Sequence, residues 1–172
     1  MKKMVLALLT VGFGMMLWAQ AGAEAGRSAA SAPAAEATAE GLPGQQLADI
    51  LKKKDIVTEL TTLKSGAPLL NLTLADMKAQ IYFFDKSEDL YGAIQLHACF
   101  KGPKDRAAAL RKINEWNKTK RYARAYIDSD NDYHLETDLD LSDGVNEKAI
   151  VTFVKRYRAS MMGFVSMGTP EE

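Results

Sequence analysis

Hydrophobic and polar residues alternate through the middle of this chain, and the period lengthens to that of a helix at three places. Leu47, Ile50 and Leu51 recur at i, i+3 and i+4 just after Pro43, which predicts a short helix ending in Lys52, Lys53 and Lys54. Leu70, Leu72 and Leu74, then Ala79, Ile81 and Phe83, then Ile94, Leu96, Ala98 and Phe100 follow the two-residue period of strands. Turn residues at Ala75-Asp76 and at positions 86–89 make these three an antiparallel meander. Tyr82 and Phe84 fall on the face opposite Ile81 and Phe83, so part of the second strand is expected to be covered on both sides.

After Gly102 the period returns to 3.6. Pro103 suits a first helical turn, and Ala107, Leu110, Ile113 and Asn117 share one face, with Ala109 and the core anchor Trp116 beside it. A hairpin follows, with strands at 121–127 and 133–141 around a turn at 128–132. Its first strand carries Arg124 among tyrosines, and its second carries Glu136, Asp138 and Asp140, so opposite charges set the register. The last helix starts at Asn146, which can cap it, with Val145 and Ile150 as a hydrophobic staple. Ile150, Phe153, Val154, Tyr157 and Met161 form its core-facing stripe. The result is an α+β fold in the order α-β-β-β-α-β-β-α, an antiparallel sheet of about five strands packed against helices.

The ends of the chain change where this fold is expected to work. Lys2 and Lys3, an apolar run over 5–17 and the small residues Ala19, Ala21 and Ala23 are the three parts of a secretory signal. That run is shorter than the ~20 residues a membrane span needs, so cleavage after Ala21 or Ala23 is expected, with no stable membrane insertion afterwards. The domain plan is a signal peptide at 1–21, a flexible Ala/Ser/Glu-rich linker at 22–43, a globular domain at 44–168 and a disordered tail at 169–172. The expected location is the periplasm or the exterior. A lone cysteine, Cys99, offers no internal disulfide there and is expected to be buried rather than reactive.

Charge and motifs exclude more than they suggest. The full chain balances 22 basic against 22 acidic residues, and without residues 1–21 the balance is 20 against 22, a net charge of −2. Nucleic-acid partners are therefore not expected. Asp128, Asp130 and Asp132 have the opening spacing of a calcium loop, but Tyr133 stands where its glycine belongs and Leu139 where its glutamate belongs, so a solvated turn is expected. His97 and His134, the only histidines, lack a second ligand at metal spacing. Asp138 and Asp140 share a strand face and are read as a charged strand edge rather than a catalytic pair. No catalytic residue, cofactor or metal is assigned, and no stretch spells out a reaction.

Several short motifs occur in an order that resembles the YbjN-domain family. These are Ile113-Asn-Glu-Trp-Asn117, Arg121 with Ala123-Arg-Ala-Tyr126, Leu135-Glu-Thr-Asp-Leu-Asp-Leu141, Gly144-Val145 and the final helix through Phe164, with 91–100 similar to the family's central strand. The resemblance covers about 45–164. It implies a domain similar to type III secretion chaperones and a role described as bacterial sensory transduction regulation. The matching residues Asn114, Trp116, Asn117, Arg124, Asp138, Asp140, Gly144 and Phe164 are expected to be structural, the two asparagines by bonding nearby backbone.

The expected function is non-enzymatic binding of a protein segment or envelope protein, chaperone-like or regulatory, with a homodimer suggested by fold analogy. The rival expectations are an enzyme or metal-binding protein with an unrecognised site around His134, Asp138 and Asp140, and a small-molecule or stress sensor with a pocket between the sheet and the last helix near Tyr157 and Met161.

Overall fold

Two tight turns shape the first half of the domain. Ala75 and Asp76 have consecutive positive φ angles of 50° and 62°, the backbone of a two-residue hairpin turn whose twist matches the strands it joins. Glu88, at φ 54°, opens the second turn. The computed structural model describes residues 41–167, so the expected signal peptide, residues 22–40 of the expected linker and the expected tail lie outside the described residues.

The elements are α1 (Gly44–Lys52), β1 (Val57–Thr62), β2 (Pro68–Leu74), β3 (Met77–Ser87), β4 (Leu90–Phe100), α2 (Arg106–Thr119), β5 (Arg124–Ile127), β6 (Tyr133–Asp140) and α3 (Glu147–Ser166). All strand pairs are antiparallel, in the order β1-β2-β3-β4-β6-β5. The α+β class and the element order are as expected, with one more strand than the expected five. The added strand is β1, whose only large core-side residue is the half-buried Leu60. Leu42 also joins the sheet, exchanging backbone hydrogen bonds with Tyr91 at 3.1 and 3.2 Å, so the last residues of the expected linker belong to the fold.

One side of the sheet carries the core. Leu70, Ile81, Ile94, Leu96 and Leu135 pack there against Leu47 and Leu51 of α1, Trp116 of α2 and Ile150, Tyr157 and Phe164 of α3. Each such large apolar side chain contributes ~1.5–3 kcal/mol by leaving water. Both long helices are capped, α3 by the expected Asn146. Asp105 accepts from the Ala107 amide and Asn146 from the Ala149 amide, and Val145 packs on the core at the staple position.

The stripe on α2 differs from expectation. Ala107 and Leu110 are exposed, and the buried face is Ala108, Ala109, Lys112, Ile113 and Trp116. Lys112 disguises that face in the sequence. Its stem is buried and its ammonium lies 4.6 Å from the Phe164 ring centroid and 5.1 Å from that of Tyr133, where burial lowers its pKa. At the far end of β4, Gly102 is required for packing, since a Cβ there would sit 1.7 Å from the Asn131 carbonyl oxygen.

Among the described residues the second face of the sheet has no covering layer. Tyr82 is half-buried and Phe84 is exposed, so the expected two-sided cover is absent. Cys99 is exposed on the same face, contrary to expectation. Ala98 and Phe100 take the core side, and strand alternation turns residue 99 outward.

Candidate functional site

Residues of opposite parity to the core build a continuous polar surface. Asn71 on β2, Gln80 and Tyr82 on β3, Gln95 and His97 on β4, His134, Glu136 and Asp138 on β6, and Arg124 and Tyr126 on β5 stand side by side in the strand register. On the β2–β3 side, Tyr82 donates to Gln80 Oε1 at 2.8 Å, and Gln80 donates to Asn71 Oδ1 at 3.1 Å. Between the two sides, the Tyr82 ring meets His97 edge-on at 5.9 Å.

The two histidines meet through the β4–β6 pairing. His97 Nε2 and His134 Nδ1 are 2.8 Å apart, and His134 Nε2 faces Asp128 Oδ2 at 3.2 Å. A proton on His134 Nε2 points at this carboxylate, an arrangement in which Nδ1 can accept from His97 Nε2. Burial, and then the neighbouring His134, lowers the pKa of His97 against a smaller upward push from Glu136. Tyr126 stacks on His134 with ring centroids 4.7 Å apart and planes within 6°. Burial pushes its phenol up to about 12, helped by the hydroxyl's 2.8 Å hydrogen bond to Glu136.

The acidic residues of β6 are engaged with their own neighbours. Arg124 donates to Glu136 at 2.9 Å and to Asp138, and Gln95 also donates to Asp138. Asp140 accepts from the amide and hydroxyl of Ser142. Asp138 and Asp140 therefore share a face as expected but do not converge as a proton-transferring pair. In the turn, Asp128 Oδ1 accepts from the amides of Asp130 and Asp132, while Asp132 accepts from Gly102 and Lys101. These contacts make it an Asx-type turn. Among the described residues no three His, Cys, Asp or Glu side chains are arranged to hold a metal ion.

The other matched residues lie at the opposite side of β5 or in the core. Trp116 donates through Nε1 to Ala123 O at 3.0 Å and is buried. Asn117 donates to Ala125 O at 3.0 Å and accepts from Ala125 N at 2.9 Å, so its amide acts as a one-residue neighbour for the outer edge of β5. Asn114 is exposed and does not perform the backbone bonding expected of it. Gly144 turns the chain with φ 78°. Phe164 packs edge-on against Trp116 and Tyr133 at 5.2 and 5.3 Å. Tyr157 and Met161 are fully buried, and the Tyr157 hydroxyl donates to Leu135 O at 2.6 Å, so the pocket expected beside them is filled core.

Sequence reading saw His97 and His134 as separate because it did not foresee that β6, rather than β5, neighbours β4. Gln80 and Gln95 look like ordinary polar positions singly, and Tyr82 like a residue beneath a second layer. Their signal is collective, since they are the outward half of each strand's alternation.

The fold and this surface define an α+β domain with helices on one side of an antiparallel sheet and a polar-aromatic display on the other. The YbjN family, described as "Putative bacterial sensory transduction regulator", matches residues 43–167, and the chain belongs to that family. Among solved structures, the crystal structure of YbjN from E. coli, titled a "putative transcription regulator", is similar at 16% identity and a TM-score of 0.55, covering 70% of this chain and 87% of that one. An uncharacterized protein from Methanothermobacter thermautotrophicus is similar at 12% identity and a TM-score of 0.53, with 72% and 94% covered. At these identities the likeness is one of fold. No curated protein matches the chain.

Proposed function

We propose that this protein is a non-enzymatic protein-binding module, regulatory or chaperone-like, that works in the bacterial periplasm or exterior. One observation carries the reading: a sheet face that no other described residues cover, whose side chains are held in place by their own hydrogen bonds. Such a face presents rigid aromatic and amide groups with little ordering left to do on binding, the quality that separates good interfaces from merely large ones. The family's description as a regulator and the secretory pattern of residues 1–21 support the role and the place.

The test is site-specific photo-cross-linking in the envelope fraction. Benzoylphenylalanine at Phe84, on the open face, is expected to capture a protein, whereas the same group at Leu110, on the outer side of α2, is not. Capture from neither position, or equally from both, sinks the reading.

A second reading, a small-molecule sensor, is favoured by a hollow of about 650 Å3 on the same face, lined by Asn71, Gln80, His97 and Cys99 among others. A metabolite that raises the melting temperature of the isolated chain would favour it over the first.

A further inference from the structure

We infer that the free edge of β6 receives an extended segment of a partner protein as an added strand, with acidic residues on the side facing α3. This rests on the protein-binding reading and gives it a site. Strand β5 is shorter than β6 and stops at Arg124, paired with Glu136. Residue 122 has a φ of 69°, and the chain leaves the sheet there. Among the described residues, positions 137–140 of β6 therefore have no paired strand on that side.

The direction of the backbone groups follows from Asn117. Its amide holds both the N–H and the C=O of Ala125 from outside the sheet, so Arg124 and Tyr126 point theirs inward, to Glu136 and His134. By alternation, Asp138 and Asp140 turn their backbone N–H and C=O toward the same side, where no strand lies beyond Arg124. The molecule closes the edge of β5 with a side chain and leaves this part of β6 open.

Beside that edge is a groove between β6 and the first turns of α3. Leu139, Phe153, Ala149 and Tyr122 give it an apolar floor, and Lys148 and Arg156 stand along it. Neither cation makes an ion pair among the described residues, although Arg156 lies over the Tyr122 ring at 4.8 Å. Nearby Glu147 is paired with Lys53, and Asp138 with Arg124 on the opposite face.

Lys148 and Arg156 are eight residues apart on α3, which is about 12 Å along a helix axis. Residues i and i+4 of an extended strand are ~13 Å apart and share a face. The groove thus fits an extended segment with acidic residues at i and i+4 and an apolar residue between them at i+2. Main-chain bonds to Asp138 and Asp140 would supply affinity, and the groove would supply the choice of sequence.

The test uses the full chain and a fluorescein-labelled peptide containing Glu-Thr-Val-Lys-Glu, followed by fluorescence anisotropy. Saturable binding is expected. Methylating alternate peptide nitrogens is expected to abolish it in one of the two phases of alternation. The double variant Lys148→Glu, Arg156→Glu is expected to weaken it by about tenfold or more, and a peptide with both Glu replaced by Lys is expected to bind that variant in preference to the wild type, which also shows the variant to be folded. Binding that survives both the methylation and the charge reversal overturns the inference. So does no binding by a chain that still gives the Phe84 cross-link, which leaves the protein-binding reading standing. A concentration-dependent doubling of mass that the peptide fails to reverse assigns the edge to a second copy and overturns it as well.

Discussion

The two faces of this sheet are made of the same strands, one residue out of step, and they are held in opposite ways. On the helix side, Leu70, Ile81, Leu96 and Leu135 meet aliphatic and aromatic partners from all three helices, and order comes from packing. On the open side, order comes from directed bonds between Asn71, Gln80 and Tyr82, between His97 and His134, and among Arg124, Glu136, Asp138 and Gln95. Packing is worth several kcal/mol per large residue, whereas half-exposed polar bonds are worth ~1 kcal/mol or less. One face therefore determines whether the chain folds, and the other determines what a folded chain displays.

Breaking the helix side is expected to give the largest effect. Phe164→Ala removes a ring that touches Trp116, Tyr133, Phe100 and the Lys112 ammonium, and should destabilise by ~3–5 kcal/mol in urea unfolding followed by circular dichroism. A loss below 1 kcal/mol would mean that the aromatic cluster is not a core.

Asn117→Ala tests the boundary between the two faces. It uncovers the N–H and C=O of Ala125 at a partly hydrated edge, with an expected cost of ~1–2 kcal/mol. Faster hydrogen exchange at the Ala125 amide would locate the change, and unaltered exchange there would refute the edge-closing role.

The smallest effect belongs to the open face. His97→Gln is expected to change stability at neutral pH by ~0.5 kcal/mol or less. In the folded chain Tyr82, His134 and Glu136 surround His97, and its pKa is below the ordinary histidine value. The unfolded chain consequently binds this proton first, and stability falls as pH drops from the ordinary histidine value through the lower folded one. Melting temperatures across pH 5–8 should show a shallower acid-side slope for His97→Gln, and an equal slope would remove His97 as its source.

Elements with a dense apolar pattern were readable before the structure. The stripes of α1 and α3, the Asn146 cap, the meander and the charged hairpin all follow from local spacing. Strand β1 was not, because a strand at the sheet edge needs few core residues, though its β-branched Val57, Thr58, Thr61 and Thr62 were a usable sign. The face of α2 was misread because a lysine can lie in a buried stripe when its stem packs on rings. The open face was illegible for a different reason: its unity arises only from cross-strand register, and the pairing of β4 with β6 is set by tertiary packing, not by any neighbouring residues.

That pairing also bears on how the chain reaches its folded state. Strands β1 to β4 meet through short connections, so their contacts form at small loop-closure cost. Joining β6 to β4 instead encloses α2 and β5 in one large loop, which must close before its contacts repay the lost freedom. The joint that brings the two histidines together is thus the most non-local pairing between the named strands, and the open face is expected to be completed late in folding.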